Sequence, residues 1–220
     1  MPFGIVILPS PLLGPASYWP LAGALGALGH AASVAACPEP IRPARLVDAW
    51  SEAARSAAVI IAHSNAGFLA ASVSANVGGR TVLYMDAALP PASGSGRLAP
   101  PELREVLAGL AEPDGRLPAW TRWWPAQEMA ELLPAPWFQR VDSTAPRLEL
   151  AYFDTEISPP SGWSDRPSGY LAFGTTYAAE MAFAREAGWP VEELPGHHLW
   201  HLAHPDDVAA ALDRLLARAI

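Results

Sequence analysis

The chain has no lysine, a single cysteine and no uninterrupted apolar run long enough to span a bilayer. Each of these absences removes a class of function. All 14 basic residues are arginines, scattered from Arg42 to Arg218 and outnumbered by 22 acidic residues. No basic stripe tracks phosphates, so nucleic acid is not an expected partner. A lone Cys37 leaves neither a disulfide framework nor a cysteine-rich zinc site within one chain. Without a spanning run, no membrane partner is expected. Met1-Pro2-Phe3-Gly4 leads straight into a strand pattern with no basic leader and cleavable apolar stretch, so the expected location is cytoplasmic. Charged residues make up 16% of the chain and hydrophobic ones 51%, too apolar a balance for a disordered segment. A length of 220 residues suits one α/β domain, 1–220, able to bury its core without disulfides or metals.

What is present follows a strand-helix rhythm. Gly4 to Leu8 is a short β-branched run of the kind buried in parallel sheets, ending at Pro9-Ser10-Pro11. A helix then starts near Ser17 as N-cap, carries Trp19, Leu21, Leu25 and Leu28, and stops at Gly29. Strands are expected at Ala31–Ala36, Ala58–Ala62 and Thr81–Met85, with helices over 44–56 and 66–77 between them. Such alternation predicts a mostly parallel sheet with helices on both faces, joined by right-handed crossovers. From Ala87 to about Pro167 the rhythm breaks into proline-rich and tryptophan-rich sequence with a helical pattern at Pro101–Leu110, and 91–167 reads as a small inserted cap. The rhythm returns with a strand at Tyr170–Phe173, a helix at Tyr177–Ala187, a strand at Val191–Leu194 and an amphipathic helix at Pro205–Ala219.

Ala62-His63-Ser64-Asn65-Ala66-Gly67 lies at a strand-to-helix junction. A nucleophilic serine needs that sharp turn, which lifts its hydroxyl clear of the sheet and aims it at backbone amides able to stabilise an oxyanion. Both glycine positions of the usual G-x-S-x-G pattern are alanine here, with a glycine one place later, and the same serine would also serve as an ordinary helix N-cap. Near the other end, four histidines (His197, His198, His201 and His204) fall within eight residues, between the last strand and the last helix. They invite a metal reading, but no carboxylate or cysteine stands at familiar ligand spacing, so no metal is expected.

In their order along nearly the whole chain, the opening strand, the helix with Trp19, the His63-Ser64 elbow, the Met85-Asp86-Ala87-Ala88-Leu89-Pro90 strand end and the histidine loop resemble the α/β-hydrolase superfamily. The resemblance implies that fold, a Ser64 nucleophile and, from the two apolar residues after it and the proline further on, His198 as general base with His197 as competitor. The remaining histidines are expected on the surface or in loops. Oxyanion donors are then the amide of Asn65 and one from the loop after the first strand, where the prolines cannot donate; Leu12 is the better candidate, with Ser10 behind it. The family's usual acid position, Gly174-Thr175-Thr176-Tyr177, has no carboxylate. Asp86 is the first choice to orient His198, with Glu180, Asp154, Glu156 or no acid as the alternatives. An aspartate at this strand end could equally be a turn former.

Nine tryptophans are present, five of them in the cap. Trp120 and Trp124 are expected to line an apolar substrate pocket, with Arg116, Arg122 and Arg140 available to orient a substrate carboxylate. The alternative is that Trp120, Trp123 and Trp124 pack the cap onto the sheet. The reading is a serine hydrolase of carboxylic esters or thioesters of small, largely apolar substrates, needing no cofactor, with a homodimer allowed for. The alternatives are a non-hydrolytic, lyase-like enzyme on the same fold and a binding protein whose site has decayed.

Overall fold

A computed structural model describes residues 1–133 and 137–220; residues 134–136 of the expected cap lie outside them. Strands β1 (Gly4–Leu8), β2 (Ala31–Val34), β3 (Val59–Ser64) and β4 (Thr81–Ala87) precede a two-residue ribbon, β5 (Gly96–Arg97) paired antiparallel with β6 (Glu156–Ile157). Strands β7 (Ser168–Phe173) and β8 (Val191–Leu194) follow. Six of them form one parallel sheet in the order β2-β1-β3-β4-β7-β8. The sheet is mostly parallel, as the alternation predicts, because crossover helices join its strands. The chain leaves β1 toward β2 and then returns to the other side of β1 for β3. The ends of β1 and β3 therefore bracket a switch point, where open α/β sheets place their sites.

Helices α1 (Trp19–Ala27), α2 (Pro43–Ala54) and α3 (Gly67–Asn76) fill the first crossovers. Proline opens α2 at its first position, where no donor is lost, and Leu46, Trp50 and Ala54 recur along its buried stripe. The segment between β4 and β7 holds α4 (Pro101–Leu110), α5 (Ala126–Leu132) and α6 (Trp137–Thr144) with several 3-10 turns. Then come α7 (Ala178–Glu186), the single turn α8 (Trp200–Ala203) and α9 (Pro205–Ala219). Asp206 and Asp207 in the first turn of α9 complement its dipole, and Val208, Leu212, Leu215 and Leu216 face the core. Among the described residues no helix is long and apolar enough to cross a membrane.

Several local expectations need correction. Ser17 caps nothing: its hydroxyl donates to the Leu13 carbonyl (3.3 Å), and a 3-10 turn leads into α1. Trp19 and Leu28 are exposed, because Leu21, Ala24 and Leu25 define the inner face; Trp19 lies across the helix from it and Leu28 past the last turn. β2 stops at Val34, whereas β3 and β4 each run two residues beyond their apolar runs, carrying the ladder through His63 and Ser64 on β3 and past Asp86 to Ala87 on β4. Hydropathy ends at those polar residues although the backbone pairing does not.

Candidate active site

Ser64 and Asp86 are the two non-glycine residues at positive φ among those described, at 57° and 41°. A left-handed backbone is costly for a residue with a Cβ and persists where the surroundings over-determine it. Both residues sit at strand ends. In the β3–β4 ladder His63 faces Met85 but Ser64 faces Ala87, so Asp86 is the extra residue of a bulge. A bulge re-aims a side chain, and here it turns the Asp86 carboxylate out of the pleat. Tyr170 clamps the next peptide from β7, donating its O–H to the Ala87 carbonyl (2.7 Å) and accepting the Ala87 N–H (3.1 Å).

The Asp86 carboxylate accepts the backbone N–H of Phe173 (2.9 Å) on one oxygen and His198 Nδ1–H (2.6 Å) on the other. The far ring nitrogen, His198 Nε2, lies 3.1 Å from Ser64 Oγ. A carboxylate can only accept, so Nδ1 carries the proton and Nε2 is free to take one from the serine. Asp86 is fully buried and Ser64 is 5% exposed, so the chain of bonds works away from bulk water. The structure thus brings Ser64, His198 and Asp86 together, and His197 instead lies edge-on to Trp200. The competing acids are spent elsewhere: Asp154 binds Arg104 through two bonds (2.7 and 2.8 Å) and Glu156 accepts from Ser95. Glu180 makes no side-chain bond to His198 among the described residues.

The glycine displaced by one place has a steric reason. A Cβ on Gly67 would stand 2.0 Å from the Ala88 carbonyl oxygen, so the start of α3 can pass the end of β4 only with glycine there. Ala62 and Ala66, at the usual glycine positions, are fully buried and small enough. At Asn65 the side-chain amide donates to the Leu98 carbonyl (3.0 Å) and its oxygen accepts from Tyr152 O–H (2.7 Å). On the opposite wall the Leu12 N–H makes only a long contact with Ser10 Oγ (3.4 Å), whereas the Ser10 N–H is committed to Tyr18 Oη (2.9 Å). Ser10 is thereby removed as an oxyanion donor.

Comparison with known proteins agrees with this architecture. Residues 5–211 match the model of the alpha/beta hydrolase family. The chain belongs to that family. No match is found among curated proteins. Among solved structures it is similar to an extracellular α/β-hydrolase from a Paenibacillus species, described as sharing homology with tobacco salicylic acid binding protein 2 (TM-score 0.79, 14% identity, 97% of this chain and 99% of the other). It is also similar to polyneuridine aldehyde esterase (TM-score 0.74, 13% identity, 99% of each chain). A third is the bromoperoxidase from Bacillus anthracis (TM-score 0.72, 14% identity, 99% of this chain and 92% of the other). At such identities the likeness concerns the fold.

In this α/β-hydrolase residues of the segment between β4 and β7 pack beside Ser64 and His198. Trp120 is buried with its ring 6.4 Å from that of His198, while Trp124 is 38% exposed and stacked on Trp123. Trp120 therefore stands beside His198 and Trp124 at the surface. The three arginines expected to greet a substrate carboxylate are engaged elsewhere: Arg122 with Asp142, Arg116 with the Arg147 carbonyl, and Arg140 over the Trp137 ring. The histidine loop also departs from expectation, because His201 is wholly buried, stacked on Tyr18 (4.9 Å) and edge-on to His63 (4.6 Å). Burial, reinforced by His198 and His197, lowers its pKa to about 3, and among the described residues neither ring nitrogen has a partner. Burial pushes the Cys37 thiol up to about 12, which leaves it inert as a rival nucleophile.

Tyrosines are the residues that sequence reasoning passed over. Tyr177 packs 5.5 Å from the His198 ring; burial raises its phenol, and Ser64 beside the hydroxyl offsets part of that rise. Tyr18, Tyr152 and Tyr170 each hold one wall of the site. No motif marks them, since a tyrosine signals apolar bulk first and its hydroxyl acquires a partner only in the fold.

Proposed function

We propose that this α/β-hydrolase is a serine hydrolase that cleaves carboxylic esters or thioesters of small, largely apolar acyl groups through an acyl-enzyme. The observation that carries the reading is the bonded order Ser64 Oγ, His198 Nε2, His198 Nδ1–H, Asp86 Oδ2, at 3.1 and 2.6 Å. As Ser64 Oγ attacks the acyl carbon, its proton passes to His198 Nε2, and Asp86 holds the tautomer and stabilises the imidazolium. The amides of Asn65 and Leu12 face the oxyanion. Collapse expels the alkoxide or thiolate, which takes the proton from Nε2. A water then gives a proton to the same nitrogen and its oxygen to the acyl carbon, releasing the acid and restoring Ser64. Trp120 supplies the apolar wall beside the reacting carbon and Trp124 the rim. A decayed site is the reading this geometry argues against, since a loss of function would leave no reason to hold two residues at positive φ.

A fluorophosphonate probe should label the wild-type protein and not Ser64→Ala, and a panel of short and aromatic esters should be hydrolysed by the former alone. Absence of both labelling and hydrolysis in the wild type overturns the proposal. Turnover of a substrate with no trapped acyl-enzyme would favour the lyase-like alternative.

A further inference from the structure

Behind the reacting groups lies a second line of buried hydrogen bonds that the proton transfers do not use. The Ser10 N–H donates to Tyr18 Oη (2.9 Å), the Tyr18 hydroxyl to His63 Nδ1 (2.7 Å), and His63 Nε2–H to the backbone carbonyl of His198 (3.0 Å). Its direction is forced. A carbonyl only accepts, so the proton of His63 sits on Nε2. Burial, with His201 and His198 alongside, holds the His63 pKa well below the ordinary value, so the ring is neutral and Nδ1 is an acceptor. Tyr18 must then donate to it, which leaves the phenol oxygen to take the Ser10 N–H. Ser10, Tyr18 and His63 are fully buried, and His201 packs against the last two, so none can swing out to water.

The two ends of this line are the two segments whose placement the chemistry depends on. At one end, His63 holds the peptide carbonyl of His198, the residue whose ring must meet Ser64. At the other, Ser10 heads a tight turn: its carbonyl accepts from Leu13 and Gly14 (3.1 Å each), and its hydroxyl touches the Leu12 N–H. The orientation of the Leu12 amide thus follows that of Ser10. We propose that Tyr18 and His63 are positioning residues, a single buried relay that sets the loop carrying the base and the loop carrying the oxyanion donor in register with the nucleophile strand. The proposal rests on the hydrolytic reading of Ser64 and His198. It also gives a reason for a histidine immediately before the nucleophile: that position on β3 is continuous with Ser64, holds the His198 carbonyl directly and reaches the Ser10 turn through Tyr18.

The first test needs no variant. Imidazole nitrogen NMR of the wild-type protein should give His63 as the Nε2–H tautomer at neutral pH, and an Nδ1–H tautomer or a protonated ring overturns the relay whatever the activity. The second test compares His63→Leu, which loses both links, His63→Gln, which keeps an N–H for the His198 carbonyl, and Tyr18→Phe, which removes one hydroxyl. For His63→Leu, ester kcat and the fluorophosphonate labelling rate should both fall about 100-fold with KM little changed, as expected for a misplaced base and donor. His63→Gln should recover about tenfold of that loss, and Tyr18→Phe should lie between it and the wild type. Wild-type kcat in folded Tyr18→Phe and His63→Leu, or equal losses in His63→Leu and His63→Gln, overturns the inference. Should His63→Leu fail to fold, Tyr18→Phe and the tautomer still decide it. Failure of the hydrolase reading looks different, because the wild type itself would then neither label nor turn over esters.

Discussion

The sheet and the cap contribute to the same site by opposite means. On the sheet side Ser64 and Asp86 are set by backbone: both stand at positive φ on neighbouring strand ends, a bulge aims the carboxylate, and a Phe173 amide fixes it. On the cap side the elements are short, and their ion pairs are partly or largely exposed, as in Arg104–Asp154, Arg122–Asp142 and Arg147–Glu112. Exposed pairs of that kind contribute little to stability. Precision therefore resides in the sheet, and the cap supplies shape at low energetic cost.

The largest expected effect comes from breaking the sheet side at Asp86. In Asp86→Asn the amide can still accept the Phe173 N–H, but its NH2 then faces His198 Nδ1 and drives the proton to Nε2, against Ser64. Loss of the reactive tautomer should lower kcat on the order of 10^4-fold with the fold intact. Steady-state kinetics with circular dichroism as control checks this, and a loss under about tenfold would return Asp86 to the role of a turn former. Next comes Gly67→Ala, whose methyl meets the Ala88 carbonyl at 2.0 Å. Strand end and helix start must separate, which should cost about 3 kcal/mol or more and reduce labelling of Ser64 as well as the melting temperature. A cap glycine such as Gly109, with nothing near a new Cβ, should tolerate alanine.

The same contrast explains what could be read from the sequence. Parallel strands, crossover helices and the elbow announce themselves by apolar runs and their punctuation, and β8 and α9 fall where the periodicity puts them. Asp86 was visible as a carboxylate at a strand end, but its φ and the bulge depend on pairing with β3, which no local pattern encodes. His201 shows the reverse failure. A histidine in a polar-looking loop reads as surface, and only the packing of α8 on Tyr18 and His63 buries it. In the cap, Trp120 and Trp124 look alike in sequence, and their different exposure is set by long-range contacts in a segment without a regular period.

pH separates the two sides further. His201 has a folded pKa of about 3 against an ordinary 6.5, and that of His63 is lowered too, so the unfolded chain takes up these protons first. Their contribution is complete above the ordinary histidine value and is lost as pH falls below it, for His201 down to about 3. In the cap, Asp142 and Asp154 are held below the usual carboxylate value by Arg122 and Arg104, so their pairs weaken only below about pH 4. Urea midpoints between pH 6 and 4 should therefore fall in the wild type and fall less steeply in His201→Phe, which keeps the stack on Tyr18. Equal slopes in the two proteins would locate the acid sensitivity elsewhere.

The smallest effect is expected where the two sides meet. Tyr152, from the cap, donates to the Asn65 side-chain oxygen, and Leu98 at the head of the cap accepts from its nitrogen, so the residue proposed to supply an oxyanion amide is gripped by the cap at both side-chain atoms. Tyr152→Phe removes one grip and leaves a buried carbonyl oxygen without its donor, costing about 1 kcal/mol of stability. Because the Asn65 backbone is still held by α3 and β3, kcat should drop by about tenfold at most, with KM for bulky acyl groups rising more than for acetyl esters. A kcat loss as large as that of Asp86→Asn would mean that the cap, and not the sheet, sets the oxyanion geometry, and the division of labour between the two would have to be reversed.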